Sequence, residues 1–304
     1  MRRFMHLVLI FLPIFSSWTV AIPATARKVT PVSHKCIISG TTNTIHKTMP
    51  TGANDTMEVP ANWNGTLLVY SHGFIGGDGP PPNPGPDSPD PTSAVKLLAE
   101  GYALSGSSFR SNGWVGRAGV QDQIDMLDYF DKTCGKPKRT IAWGHSMGGA
   151  VTAALAHWYP NRFTAAIPMC GVLTLHDDQA QLKIPVLTMH TIGDDFVSPQ
   201  IEGNYAQEVK KAGSSAMLRQ IFVDHGGHCN FSSGDHLAAL HTLIYHCLNH
   251  GGKWGKYDPN KHPDQLNRLA NSYGPQYNGE PSAFKTYTPQ PFSQIPPNYP
   301  ANPF

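Results

Sequence analysis

"RTIAWGHSMGGA", residues 139–150, is the stretch that decides how this chain is read. A short β-favouring run, Thr140 to Trp143, passes through Gly-His-Ser-Met-Gly into small residues that suit a helix. A serine gains little from burial at such a junction, so its place there needs another reason. The pattern is G-x-S-x-G: glycines at 144 and 148 let the backbone turn sharply between strand and helix, and the turn lifts the Ser146 hydroxyl to the carboxyl edge of a sheet. That position suits a nucleophile.

Outward from this turn, β-rich apolar runs alternate with helical stretches, the mark of a mainly parallel sheet covered on both faces. Strands are predicted at Thr66 to Tyr70, Tyr102 to Ser107, Thr140 to Trp143, Thr164 to Met169, Pro185 to His190 and Leu218 to Val223. Helices are predicted near 92–99, 117–131, 147–158, 201–212 and 235–248, with one or two antiparallel edge strands within 36–60. Two segments depart from this order. "GGDGPPPNPGPDSPDP", residues 76–91, is too proline-rich for helix or central strand and reads as a long surface loop. The tail beyond Gly251, rich in Pro, Asn and Tyr, lacks periodicity and is expected to wrap the surface or to stay partly disordered.

A serine hydroxyl is a weak nucleophile at neutral pH and needs a base, itself held by a third group. In a sheet of this kind the partners follow in the order acid, then histidine, each after a later strand. "VLTMHTIGDDFVSP", residues 186–199, offers Asp194 and Asp195, and "LRQIFVDHGGHCNF", residues 218–231, offers His225 and His228.

Composition narrows the setting. Residues 1–26 read as an export signal: Arg2 and Arg3, an apolar run from Leu7, and Ala24-Thr25-Ala26 as a cleavage site. That run is broken by Pro13 and is short for a membrane span. The formal net charge of +2 falls to zero once those two arginines are removed, which leaves no electrostatic footprint for nucleic acid or an anionic membrane. The expected organisation is a signal at 1–26, a catalytic domain at 27–250 and a tail at 251–304, in a secreted or periplasmic protein. The five cysteines, Cys36, Cys134, Cys170, Cys229 and Cys247, permit two disulfides with one thiol left over. His225-Gly-Gly-His228-Cys229 matches no zinc template, and the offsets of His236, His241, His246 and His250 make no single helical stripe, so these read as a polar helix face and no metal is expected. Asn54, Asn64 and Asn230 head Asn-x-Ser/Thr triplets, and a glycan at Asn230 would crowd His228.

Taken together, the GHSMG turn, the "YSHGF" segment at 70–74, the Gly-Asp-x-x-Val segment at 193–197 and the Gly-His at 227–228 make the chain similar to α/β-hydrolase-fold serine hydrolases of the esterase and lipase superfamily, over roughly residues 60–250. The resemblance implies Ser146 as nucleophile, His228 rather than His225 as base, and Asp194 rather than Asp195 as the acid, with the other aspartate capping the next helix. It further implies an oxyanion hole from the backbone N–H groups of Met147 and Phe74, and structural roles for His72 and His145. No cofactor is implied. Trp114, Phe74 and Phe196 are candidate substrate contacts. Only fifteen residues, "GVLTLHDDQAQLKIP" at 171–185, stand where relatives carry a lid, so an open mouth is expected, with the 76–91 loop walling the acyl pocket from the other side. The expected activity is hydrolysis of small or accessible carboxylic esters. The alternatives are an exopeptidase, a polyester or polysaccharide-ester depolymerase, a haloperoxidase or C–C hydrolase on the same framework, and a binding module that has lost the chemistry.

Overall fold

A computed structural model describes residues 36, 38–173, 180–279 and 281–292. The chain divides into two units, Met1–Pro31 and Val32–Phe304, and all described residues belong to the second. The predicted export signal, residues 174–179 of the segment in place of a lid, and the end of the tail lie outside the described residues.

Among the described residues, eight strands form one sheet in the order β1-β2-β4-β3-β5-β6-β7-β8. They are β1 (Asn43–Thr48), β2 (Asn54–Val59), β3 (Thr66–Ser71), β4 (Ala103–Ser107), β5 (Arg139–His145), β6 (Ala165–Met169), β7 (Val186–Gly193) and β8 (Leu218–Gly226). The first two form an antiparallel edge, β2 pairs antiparallel with β4, and every later pairing is parallel. Side chains alternate across β3: Leu67 and Val69 enter one core, Leu68 and Tyr70 the other. All six β3 residues are buried, as a strand covered on both faces requires. Helices α2 (Gly116–Cys134), α3 (Met147–Trp158) and α4 (Gln200–Lys211) supply the first core, whereas α1 (Pro91–Ala99) and α5 (Ser233–His246) supply the second.

Local chemistry sets the helix starts that matter for the site. Asp90 caps α1 by accepting the Ser93 amide at 2.8 Å, with Pro91 in the first turn. Ser232 and Asp235 form a reciprocal capping box at the start of α5. Two disulfides are present: Cys36–Cys134 ties the chain before β1 to the end of α2, and Cys170–Cys229 joins the end of β6 to the loop after β8. Cys247 is a buried free thiol.

The tail corrects the sequence reading. It contains α6 (Pro263–Ser272), a short α7 (Pro275–Asn278) and an antiparallel bridge from Phe284 to Val223 of β8. Pro263 opens α6, and Leu266 and Ala270 are spaced one turn apart and buried against α5. Such a stripe is too short to stand out in a polar, proline-rich composition. Beyond it the Asp224 amide donates to Ala283 O and the Lys285 amide to Phe222 O, so the tail covers part of an otherwise open sheet edge.

Candidate active site

The serine turn is built as its glycines require. Ser146 has φ 54°, a left-handed conformation that few non-glycine residues adopt and that costs roughly 1–3 kcal/mol. A Cβ at Gly144 would stand 2.4 Å from Ser71 O, and one at Gly148 would stand 2.0 Å from the same oxygen, so neither position admits another residue. The Ser146 amide donates to Met169 O at 2.9 Å, fixing the turn to the end of β6.

Three polar side chains meet at the carboxyl edge of the sheet. Ser146 Oγ lies 2.7 Å from His228 Nε2, and His228 Nδ1 lies 2.8 Å and 3.1 Å from the two oxygens of Asp194. With Asp194 ionised, Nδ1–H donates to it and Nε2 is left to accept from the serine hydroxyl, the tautomer that a general base needs. Burial alone would push the Asp194 carboxyl up. His190, the amides of Val197 and Phe196, and His228 instead hold it at about 2, so it is an anion across the neutral range.

The loop that carries His228 is held by covalent means. Cys229, next in sequence, has φ 52° and is bonded to Cys170, which has φ 44° at the end of β6. The disulfide therefore ties the histidine loop to the same strand end that receives the Ser146 amide.

The two aspartates separate cleanly. Asp194 is buried and faces His228; Asp195 is exposed. The expected capping role for Asp195 is not found: the α4 cap is Pro199, with no side-chain hydrogen bond, and Asp194 itself accepts from the Phe196 and Val197 amides at 3.0 Å and 2.8 Å. An Asp-x-x-Val turn can thus satisfy both its own backbone and the neighbouring imidazole, leaving the second aspartate to solvent. His225 stands away from the serine, with its Nδ1 3.0 Å from Asn230 O.

The residues expected to supply oxyanion donors adjoin the serine or a glycine that packs on it. Met147 is the first residue of α3, where amides lack an intrahelical partner. Phe74 follows Gly73, whose position is so close to the serine that a Cβ there would lie 3.4 Å from Ser146 Cβ. His72 bonds its own loop, with Nδ1 2.7 Å from Gly73 O, and packs on Phe109. Of the candidate substrate contacts, Phe196 is 79% exposed with its ring 5.1 Å from that of His228, Phe74 is 56% exposed and Trp114 is 43% exposed.

A polar cleft of about 910 Å³ lies on the other side of the His228 loop, lined by Asp90, His145, His225, Phe231 and His236 among others. The proline-rich loop reaches this cleft through Pro89 and Asp90, while its Gly85 and Pro86 pack on Asn54 and Gly106 of the antiparallel edge. The cleft it lines lacks Phe74, Trp114 and Phe196, and the other end of the loop, at Gly79 and Pro80, accepts from Asn112 Nδ2 two residues before Trp114.

Tyr70 and Asp90 were given no role by the sequence, yet they join His145 and His236 in one chain of contacts. Tyr70 Oη lies 3.1 Å from His145 Nδ1, His145 Nε2 lies 2.8 Å from His236 Nε2, and His236 Nδ1 lies 3.2 Å from Asp90. His236 is buried, which corrects the reading of the α5 histidines as a polar surface face. His241 pairs with Glu100 and His246 stacks on Tyr257, so those two are also engaged. Behind Asp194, His190 and Glu202 are buried together. A lone histidine inside the apolar run "VLTMHTIG" is the one sequence signal that pointed there.

Comparison with known proteins bears on fold and class. Residues 99–182, which span β4 to the segment after β6 and include Ser146, match the prolyl oligopeptidase family. An o-phthalyl amidase from Xanthobacter agilis is 30% identical over 88 residues, which is 29% of this chain and 18% of the amidase. The acylaminoacyl peptidase of Pyrococcus horikoshii superposes with a TM-score of 0.52 at 14% identity, covering 72% of this chain and 43% of the peptidase. The chain thus spans well under two thirds of either the amidase or this peptidase. By its sheet order and by its likeness to that peptidase, the chain has the α/β-hydrolase fold.

Proposed function

We propose that this protein is a secreted serine hydrolase that cleaves small or accessible carboxylic esters through an acyl-enzyme. The observation that carries the reading is the unbroken contact from Ser146 through His228 to Asp194, at 2.7 Å and 2.8 Å, on a strained serine turn. Ser146 Oγ attacks the ester carbonyl carbon while its proton passes to His228 Nε2. The amides of Met147 and Phe74 receive the developing oxyanion, a contribution worth several kcal/mol in such sites. Collapse expels the alcohol with the proton from His228. Water then gives a proton to His228, attacks the acyl carbon, and releases the acid with Ser146 restored. Asp194 stays ionised throughout and balances the transient imidazolium.

Exposed Phe196, with its ring 5.1 Å from that of His228, and exposed Phe74, which follows the glycine packed on Ser146, favour an apolar acyl or alcohol group reached from solvent. Two disulfides suit an oxidising compartment, and no helix of the described residues is long and apolar enough to cross a membrane. Amide cleavage is the second reading, favoured by the likeness to an amidase, and the same three groups would perform it.

Labelling with a fluorophosphonate, followed by turnover of p-nitrophenyl esters and aminoacyl p-nitroanilides, tests both readings. We expect modification of Ser146, ester turnover that Ser146→Ala lowers by at least about 10³-fold without unfolding, and weaker anilide turnover. An unlabelled Ser146 would refute the hydrolase reading. Anilide turnover without ester turnover would replace the first reading by the second.

A further inference from the structure

Behind Asp194 the structure continues into a second buried relay that the proposed chemistry does not by itself require. His190, on β7, has its Nε2 2.9 Å from Val197 O and 3.3 Å from Asp194 Oδ2, and its Nδ1 3.1 Å from Glu202 Oε1. The side chains of His190, Asp194 and Glu202 are all fully enclosed. Both ring nitrogens therefore face oxygens, and none of those oxygens donates unless a carboxylate takes up a proton.

Glu202 gives no sign of needing one. Its Oε2 accepts from Thr188 Oγ1 at 2.6 Å and from Gln220 Nε2 at 2.7 Å, so with His190 it has three donors, the surroundings of a carboxylate anion. Asp194 is likewise supplied by two backbone amides and by His228. Only a doubly protonated ring at 190 satisfies both neighbours at once.

We infer that His190 is a positioning residue for the proposed hydrolysis, held as an imidazolium between Glu202 and Asp194, where it locks the carboxylate that orients His228 and makes His228 a weaker base. The inference rests on the assignment of Ser146, His228 and Asp194 above. The electrostatic sense is simple: a positive charge one carboxylate away from His228 disfavours a second positive charge there. Burial opposes a charged His190, yet Asp194 and Glu202 outweigh it and push the ring up to about 9. The charged or titratable groups facing His190 are Asp194 from its own strand end and Glu202 from α4, with His228 of the loop after β8 beyond Asp194. Thr188 and Gln220 face Glu202 and are neutral. Across the serine turn, His145 is kept uncharged by burial and contributes no opposing charge.

Two measurements test this. The first uses the unaltered protein: nitrogen NMR of the histidine rings at pH 7 should report His190 with both nitrogens protonated, and a neutral ring would overturn the inference. The second is the pH dependence of fluorophosphonate labelling of Ser146 in the wild type and in His190→Gln, which keeps a donor at this place but removes the charge. The acid limb of labelling reports protonation of His228. It should move to higher pH in the variant by roughly one unit, the scale of losing one nearby buried charge. A limb that stays in place while labelling slows equally at every pH would reduce His190 to a packing role and overturn the inference. If His190→Gln fails to fold, the ring protonation in the wild type decides alone. Failure of wild-type Ser146 to label would strike the hydrolase reading, whereas a labelled wild type with an unmoved limb strikes His190 only.

Discussion

Two histidines flank the serine turn, His190 fully buried and His145 partly buried, both within strands, yet their surroundings put them in opposite charge states. On the β7–β8 side, His190 lies between two carboxylates and is pushed up to about 9. On the β3–β5 side, burial holds His145 well below the usual imidazole range, with His236 adding to the effect and Asp90 opposing it. The run from Tyr70 through His145 and His236 to Asp90 ends at an acceptor-only group, so with one proton on each ring every link has one donor and one acceptor. The same side chain thus serves as a fixed charge on one flank and as neutral scaffolding on the other. What differs is the next group: two carboxylates at His190, a second imidazole at His145.

The largest expected effect breaks the charged flank at its centre. Asp194→Asn removes the anion that selects the His228 tautomer, and the ester rate should fall by about 10⁴-fold with the fold retained. Asp195→Asn, one position along and exposed, should leave the rate within a factor of about two. Steady-state kinetics on p-nitrophenyl esters compare the two, and equal losses would mean that the buried contact is not what orients His228. Next in size is the covalent tie beneath the same loop. Replacing Cys170 and Cys229 together with serine removes a cross-link between residues 59 apart in sequence, worth about 4 kcal/mol in the chain-entropy description. Denaturant unfolding should register that loss, and ester turnover should fall as well because the His228 loop is released.

How much of this was legible in the sequence follows from how each signal arises. The serine turn was readable because two glycines and a serine at fixed spacing answer a local steric demand, and Gly144 and Gly148 meet that demand against Ser71. The parallel strands were readable because burial on both faces produces unbroken apolar runs, as in "TLLVY" of β3. Asp194 and Asp195 were separable only by a motif, since spacing alone leaves both aspartates within reach of the same loop. The relays were not legible. Asp90 and His236 stand 146 residues apart and meet because α1 and α5 cover the same face of the sheet, a fact that no local pattern carries. Helix α6 escaped for a different reason: only Leu266 and Ala270 of its ten residues are buried, so its stripe is hardly longer than one turn.

The opposite charge states predict opposite pH dependences of stability. A histidine raised in the folded protein stabilises fully below its unfolded value near 6.5, and the contribution is lost as pH rises through about 9. A histidine depressed by burial does the reverse: its contribution is present above 6.5 and is lost as pH falls, when the unfolded chain takes up a proton that the folded chain resists. Melting temperatures of the wild type should therefore decline from pH 6.5 towards pH 9 by a slope that His190→Gln flattens. They should also decline below pH 6.5 by a slope that His145→Gln flattens. If both variants altered the same limb, the two flanks would not differ in charge as their partners imply.

The smallest effect concerns two phenylalanines, one on each flank. Phe196 follows the aspartates, is 79% exposed and stands 5.1 Å from the His228 ring. Phe231 is partly buried and stacks on His145 at 5.9 Å with an interplanar angle of 22°. An exposed ring has little to lose on folding, so Phe196→Ala should leave the melting temperature unchanged. If Phe196 contacts an apolar acyl or alcohol group, its loss removes one aromatic contact of about 1 kcal/mol, which raises KM for a phenyl ester about fivefold and leaves kcat near its original value. Phe231→Ala should behave the other way, lowering the melting temperature by exposing His145 and His236 while changing KM little. Kinetics and thermal melts on the two variants separate substrate contact from scaffold, and a KM effect confined to Phe231→Ala would move the substrate site from the open face beside Phe196 to the polar cleft beyond the His228 loop.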